Sequence, residues 1–253
     1  MTFDLRIGTA GWTIPAAVAD RFPPSGTHLE RYGRGMNTAE VNTSFYRPHR
    51  RTTWERWAAS TPFDFRFAVK VPRLLTHDQR LVAPEAGLDR FAGEVSGLGH
   101  RLGVLLVQLP PNLGFESAVA GAFFAALRER FEVPVALEPR HADWFGETND
   151  AWLREREIAR VAADPARHPG AERPGGWRGL TYYRLHGSPR VYHSACAPGD
   201  LAEMARTLTG ERRTAPVWCV FDNTAASAAL GDALTVVDAI PGGADGAGAG
   251  GGS

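Results

Sequence analysis

Residues 102–140 read LGVLLVQLPPNLGFESAVAGAFFAALRERFEVPVALEPR. Leu102 to Leu109 is an apolar run of strand length, and Pro110 and Pro111 stop it because proline has no N–H to give a sheet ladder. Val119, Phe123, Ala126 and Leu127 then fall at helical spacing, and Pro134 to Arg140 is a second strand-length run. Strand, helix and strand in this short compass make a βα unit.

The alternation continues in both directions. Further strand candidates are Leu5 to Gly8, Thr38 to Phe45, Phe65 to Val71, Ile158 to Asp164, Leu180 to Gly187 and Pro216 to Asn223, which brings the count to eight. Helical spacing recurs at Leu88, Phe91, Val95 and Leu98 and at Leu230, Ala233, Leu234 and Val237, and more weakly over 52–59, 149–157 and 199–208. Pro165 to Gly179 is rich in Pro, Gly and charge, which predicts a loop that shortens or replaces the helix of the sixth unit. Eight βα units predict an α/β fold, a single (β/α)8 TIM-type barrel over 1–240 that is irregular around the sixth unit. An open doubly wound sheet is the competitor. The first strand runs into Gly8-Thr9-Ala10-Gly11-Trp12, which is no dinucleotide fingerprint, so the barrel is preferred. Residues 241–253 are almost all Gly, Ala and Ser and are expected to stay unordered.

A chain of 253 residues fits one such barrel, since these run to about 200 to 250 residues as a unit. Its 28 basic and 28 acidic residues cancel, which argues against a globally basic nucleic-acid binder. Cys196 and Cys219 make neither a disulfide framework nor a metal-ligand spacing. With no secretory-type segment and no apolar span of membrane length, a cytoplasmic protein without a membrane partner is expected. The cancelling total hides an asymmetry: Lys70 is the only lysine.

Both faces of a parallel barrel strand are buried, so charged residues inside these runs require a reason. Glu40 and Asn42 share a face of the second strand. Lys70 ends the third, Gln108 the fourth and Asp164 the sixth, and Asp222 ends the eighth. Glu138 and Arg140 share a face of the fifth, as do Arg184 and His186 of the seventh. Most lie in the last third of their strand, which places them at the C-terminal mouth, where active sites of this fold are built. A buried lattice that only sets strand register is the alternative. A compact ammonium at a buried strand end suits Schiff-base, general-base or phosphate-binding roles.

Ile7 to Trp12, Glu40 to Tyr46, Phe67 to Lys70, Thr76-His77, Leu106 to Pro111, Glu138 to His141 with Trp144, Tyr183 to Gly187 and Phe221 to Thr224 together resemble the YecE-like family, domain of unknown function 72. The resemblance runs from about Leu5 to Ile240. It implies a TIM-type barrel and leaves the activity open. The chain departs from the family pattern at Thr13 to Pro23, where further aromatics are usual, at Tyr192 to Cys196, and at Asp232.

The expected function is that of an enzyme acting on a small anionic or sugar-like substrate, phosphorylated or polyhydroxylated. Lys70, Glu138, His186 and Asp222 are the candidate catalytic groups. Arg140 and Arg184 would bind anionic oxygens, and Trp12, Glu40, Asn42, Tyr46, His77, Gln108, His141, Trp144 and Asn223 would complete the substrate contacts. No cofactor is expected. The alternative is Mg2+ or Mn2+ on Glu138, Asp164, His186 and Asp222. A nucleic-acid-binding barrel, with Arg47, Arg50, Arg51 and Arg73 facing phosphates, is the less favoured partner reading.

Overall fold

The computed structural model describes residues 2–242. The strands are β1 (Leu5–Ala10), β2 (Thr38–Val41), β3 (Arg66–Lys70), β4 (Leu102–Gln108), β5 (Val135–Glu138), β6 (Ile158–Arg160), β7 (Ala162–Asp164), β8 (Gly175–Gly176), β9 (Thr181–Leu185) and β10 (Val217–Phe221). Among the described residues they form one ten-stranded sheet, ordered β7-β9-β10-β1-β2-β3-β4-β5-β6-β8. All neighbours are parallel except the short β6/β8 pair. The two flanks meet through the chain itself, because β6 pairs with β5, β7 pairs with β9, and only Val161 separates them. The expected sixth strand is therefore one stave that changes neighbour midway, and the sheet is a nearly closed TIM-like barrel.

Around it run α1 (His28–Gly33), α2 (Thr43–Tyr46), α3 (Arg51–Ala59), α4 (Glu85–Val95), α5 (Ser117–Arg128), α6 (Glu147–Glu155), α7 (Pro198–Glu211) and α8 (Ala229–Ala239). Helix α5 buries Phe123, Ala126 and Leu127 as its spacing predicts, with Ala120 and Phe124 beside them, while Val119 is only half-buried. Each fully buried Phe or Leu contributes about 1.5 to 3 kcal/mol relative to exposure. Apolar periodicity did not announce α1. Its signal is the capping box Thr27-His28-Leu29-Glu30, in which Thr27 and Glu30 satisfy each other's backbone N–H.

The helix of the sixth unit is replaced as expected. Arg160, overlooked in the sequence, lies between its inward-facing neighbours Ala159 and Val161 and sits buried on the outer side of the sheet. Its guanidinium grips Asp150 of α6 at 2.8 and 3.1 Å and donates to the Gly170 carbonyl at 2.9 Å. The 165–179 loop thus folds over a satisfied ion pair where an apolar helix face would otherwise pack.

The second strand is shorter than expected. Pairing stops at Val41, Asn42 takes helical dihedrals, and Thr43–Tyr46 is a helical turn. The Ser44 hydroxyl holds that turn to the barrel by reaching the carbonyls of Val41 and Lys70 at 2.8 and 2.7 Å. No helix among the described residues is long and apolar enough to cross a membrane. Apart from a turn at Pro241 and Gly242, the expected unordered tail falls outside the described residues.

Inside the barrel the two-residue alternation sorts the layers. Tyr182, Trp218, Val104, Leu106, Ala68, Ala136 and Ala159 form an apolar plug, with Tyr182 and Trp218 stacked 6.1 Å apart. Small residues on β3, β5 and β6 leave room for these rings. One step further along each strand the interior becomes ionic, and the Tyr182 hydroxyl marks the border by donating to Glu40 at 2.9 Å.

Candidate functional site

Glu40, Lys70, Glu138, Arg184, His186 and Asp222 all project to the interior from five strands or their C-terminal ends, and all are buried. Arg184, at 0% exposure, is the hub. Its Nε and Nη2 grip Glu40 at 3.0 and 2.7 Å, its Nη1 donates to Glu138, and its Nη2 also donates to Asp222 at 2.9 Å. Arg140 clamps the other Glu138 oxygen at 3.0 and 3.1 Å. His186 bridges the remaining gap: Nδ1 lies 3.2 Å from Asp222, while Nε2 is 3.4 Å from Glu138 in poor alignment and makes no hydrogen bond.

The charges shape one another's proton affinities. Burial raises Glu138, but Arg184, His186 and Arg140 outweigh it and hold the carboxyl well below its ordinary range. Asp222 is lowered in the same way, against burial, by Arg184 and His186. Burial lowers His186, yet its bonds to Asp222 and the nearby Glu138 carboxylate leave it raised. Lys70 goes the other way: burial and the Arg184 charge bring its ammonium down to about 8 in spite of Glu40, Glu138 and Asp222. Among the described residues Lys70 Nζ has no hydrogen-bond acceptor, and it rests 4.2 Å from the centre of the Phe45 ring. Three carboxylates face three permanently or readily charged cations here, so the site is close to neutral, and a proton on His186 makes it positive by one.

The other expected contacts divide. Asn42 reaches Asp222 through Nδ2 at 3.3 Å and leaves its Oδ1 buried without a partner. Gln108 pairs in register with Glu138 and is buried at the mouth. His77 packs edge-on to Phe45, and burial together with Arg73, Lys70 and Arg140 lowers it to about 4, so it is a neutral imidazole in a cationic corner.

The remaining placements are corrections. Trp144 is buried, with its indole N–H on the Leu113 carbonyl at 2.9 Å and its ring against Phe115, so it anchors a loop and lines a separate cleft with Leu113 and Val119. His141 holds that same loop by accepting from the Asp143 backbone N–H at Nδ1, 3.2 Å away. Trp12 packs on Trp57 and Phe67 in the strand-helix layer. Tyr46 is 75% exposed beside Arg47 and Leu74 on an outer groove. Asn223 ties Asp232 to the Ser194 carbonyl and supports a loop from beneath. Arg184 has no surface left for a substrate. Asp164 is exposed at the end of β7, outside this ion-pair cluster. Among the described residues no three acidic, imidazole or thiol groups are arranged to hold a metal ion, because the arginines occupy the oxygens a cation would use. On the rim, Arg51 and Arg73 are paired with Glu55 and Asp78, while Arg47 and Arg50 are exposed.

Two participants escaped the sequence reading. Tyr182 was legible, since it stands two residues before Arg184 on the same strand face. Tyr192 was not. It arrives on the 187–197 loop, accepts from Arg140 at 3.2 Å, and packs edge-on to His186. Asp232 holds the base of that loop through the Cys196 N–H, a role that only the fold reveals.

Residues 6–245 match the family described as Protein of unknown function DUF72. The chain belongs to this family. UPF0759 protein YecE of Escherichia coli K12 is 32% identical over 176 residues, covering 67% of this chain and 62% of that protein, and UPF0759 protein YunF of Bacillus subtilis is 27% identical over 147 residues, covering 56% and 52%. The matched part thus spans less than two thirds of either relative's length. Among solved structures, a DUF72 family protein of Enterococcus faecalis V583 superposes with TM-score 0.77 at 18% identity, covering 94% of this chain and 95% of that one. One from Thermotoga maritima gives 0.74 at 22%, covering 92% and 97%. At these identities the DUF72 structures speak for the fold alone.

Proposed function

We propose that this DUF72 mouth is an acid–base active site for a small, anionic, hydroxyl-rich substrate such as a sugar phosphate. The observation that carries the reading is Lys70, a residue only 5% exposed whose ammonium has no hydrogen-bond acceptor among the described residues, beside carboxylates that arginines have already claimed. A lattice built only to fix strand register would have no use for a cation without an acceptor, since desolvating an ion costs several kcal/mol before pairing.

The proton chemistry assigns the roles. Glu138 and Asp222 are too acidic to serve as bases near neutrality and act by holding Arg140, Arg184 and His186 in place. Lys70, brought down to about 8, carries the proton that can move near neutral pH, and His186, raised from its ordinary value by Asp222 and Glu138, is held toward its charged form. Among the described residues Arg140 Nη1 has no hydrogen-bond partner, and with Lys70 beside the neutral His77 it supplies the positive corner for an anionic group.

A thermal-shift panel of sugar phosphates, polyols, nucleotides and divalent ions, run on wild type and Lys70→Met, tests this. Ligand at a hundredfold excess over Kd stabilises by about 2.7 kcal/mol, which is roughly 5 to 10 °C for a chain of this size. The expected result is such a shift with a sugar phosphate and its loss in Lys70→Met. Equal shifts in both proteins, or none across the panel, would overturn the proposal.

A further inference from the structure

Resting on that reading, we infer that Lys70 is a covalent amine site, which forms a Schiff base with the carbonyl carbon of an anionic aldehyde or ketone substrate. Three independent features of the site converge on it. Lys70 is only 5% exposed, yet Nζ makes no hydrogen bond to any described residue, so no protein proton donor competes for its lone pair. One flank of Nζ is the Phe45 ring at 4.2 Å, a surface that accepts a flat cationic group as well as it does an ammonium. Behind it stand Glu40, Glu138 and Asp222, each paired with Arg184, a carboxylate set that suits a nitrogen positive both before and after the reaction. Desolvation of the amine then supplies the unprotonated nucleophile.

The chemistry balances without an oxidant or reductant. Neutral Nζ attacks the carbonyl carbon, a C–N bond forms, and the carbonyl π pair moves to oxygen. A proton passes from nitrogen to that oxygen to give a carbinolamine. Protonation of its hydroxyl by a general acid releases water, and the nitrogen lone pair closes the C=N bond of the protonated imine. The proton is the one the Lys70 ammonium gave up to solvent before the attack, so none is consumed overall.

The lone lysine makes the test unusually clean, because in this sequence the α-amino group is the only other primary amine. The 253-residue chain is treated at pH 7 with cyanoborohydride and, separately, dihydroxyacetone phosphate, pyruvate or glyceraldehyde, and adducts are located by peptide mass mapping. An amine at about 8 is unprotonated roughly 300 times more often at neutral pH than one at the ordinary 10.5. The expected result is a reduced adduct at Lys70, formed at least about tenfold faster in the native protein than at the same residue in urea. Labelling of native Lys70 no faster than in urea, or only the α-amino group labelled by all three carbonyls, would overturn the inference. Mapping wild type needs no variant to fold. If a sugar phosphate raises the melting temperature while Lys70 stays unlabelled, the covalent step fails and the acid–base site stands; if neither occurs, both fail.

Discussion

Replacing Arg184 by methionine removes the cation that four hydrogen bonds tie to Glu40, Glu138 and Asp222. Methionine fills much of the volume, so the loss is electrostatic and concerns carboxylates left in the barrel interior. Breaking a buried ion pair from one side costs about 3 to 5 kcal/mol. At roughly 2 to 4 °C per kcal/mol for a chain of this size, the melting temperature should fall by roughly 6 to 20 °C at pH 7. The sign of its pH dependence follows from the carboxyl groups. In wild type Glu138 and Asp222 are held below their ordinary values, so their contribution is present above about pH 4 and lost as pH falls through the folded values. Without Arg184 burial dominates and raises them, so the folded variant must take up protons that the unfolded chain releases. The deficit is therefore largest at neutral pH and narrows toward pH 4. Calorimetry at pH 4.5 and 7 reads both. A fall of less than about 3 °C at pH 7, or one equal at both pH values, would show that Arg184 is not what neutralises this interior.

Lys70→Met should stabilise the protein by about 1 to 3 kcal/mol at pH 7, because a lysine lowered from 10.5 to about 8 opposes folding until pH rises past its unfolded value. The gain should vanish near pH 10.5, and a variant less stable than wild type at pH 7 contradicts it. His186, being raised, contributes stability that is full below about pH 6.5 and lost as pH climbs through its folded value, so His186→Gln should cost more at pH 6 than at pH 9. A direct NMR titration that finds this ring neutral at pH 6.5 would be incompatible with that. Trp144→Phe should lose about 1 to 2 kcal/mol with the Leu113 hydrogen bond and leave Lys70 labelling unchanged; altered labelling would move Trp144 back into the mouth.

How far the site could be read in advance depends on what each residue's position rests on. Lys70, Glu138, Arg184, His186 and Asp222 were found because each lies in or next to a strand whose two-residue alternation fixes its face. Tyr46 was misplaced because Thr38 to Phe45 looks like a continuous strand, whereas Ser44 and the helical dihedrals at Asn42 turn the chain outward. Trp144 and His141 were assigned to the substrate on proximity to Arg140 in the chain. Side chains on a loop have no period, and the indole found its partner on another loop at Leu113.

The sequence alone determined the barrel and the inward charges, since strand-helix alternation and side-chain parity are local properties that survive without coordinates. Only the tertiary structure decided who pairs with whom. Strand order and the stave that switches partners at Val161 bring Glu40, Glu138 and Asp222 around one guanidinium from strands far apart in the chain. That closure takes Arg184 out of reach of any ligand and leaves Lys70 as the uncommitted cation. Distances across a barrel depend on closure, which no local pattern records.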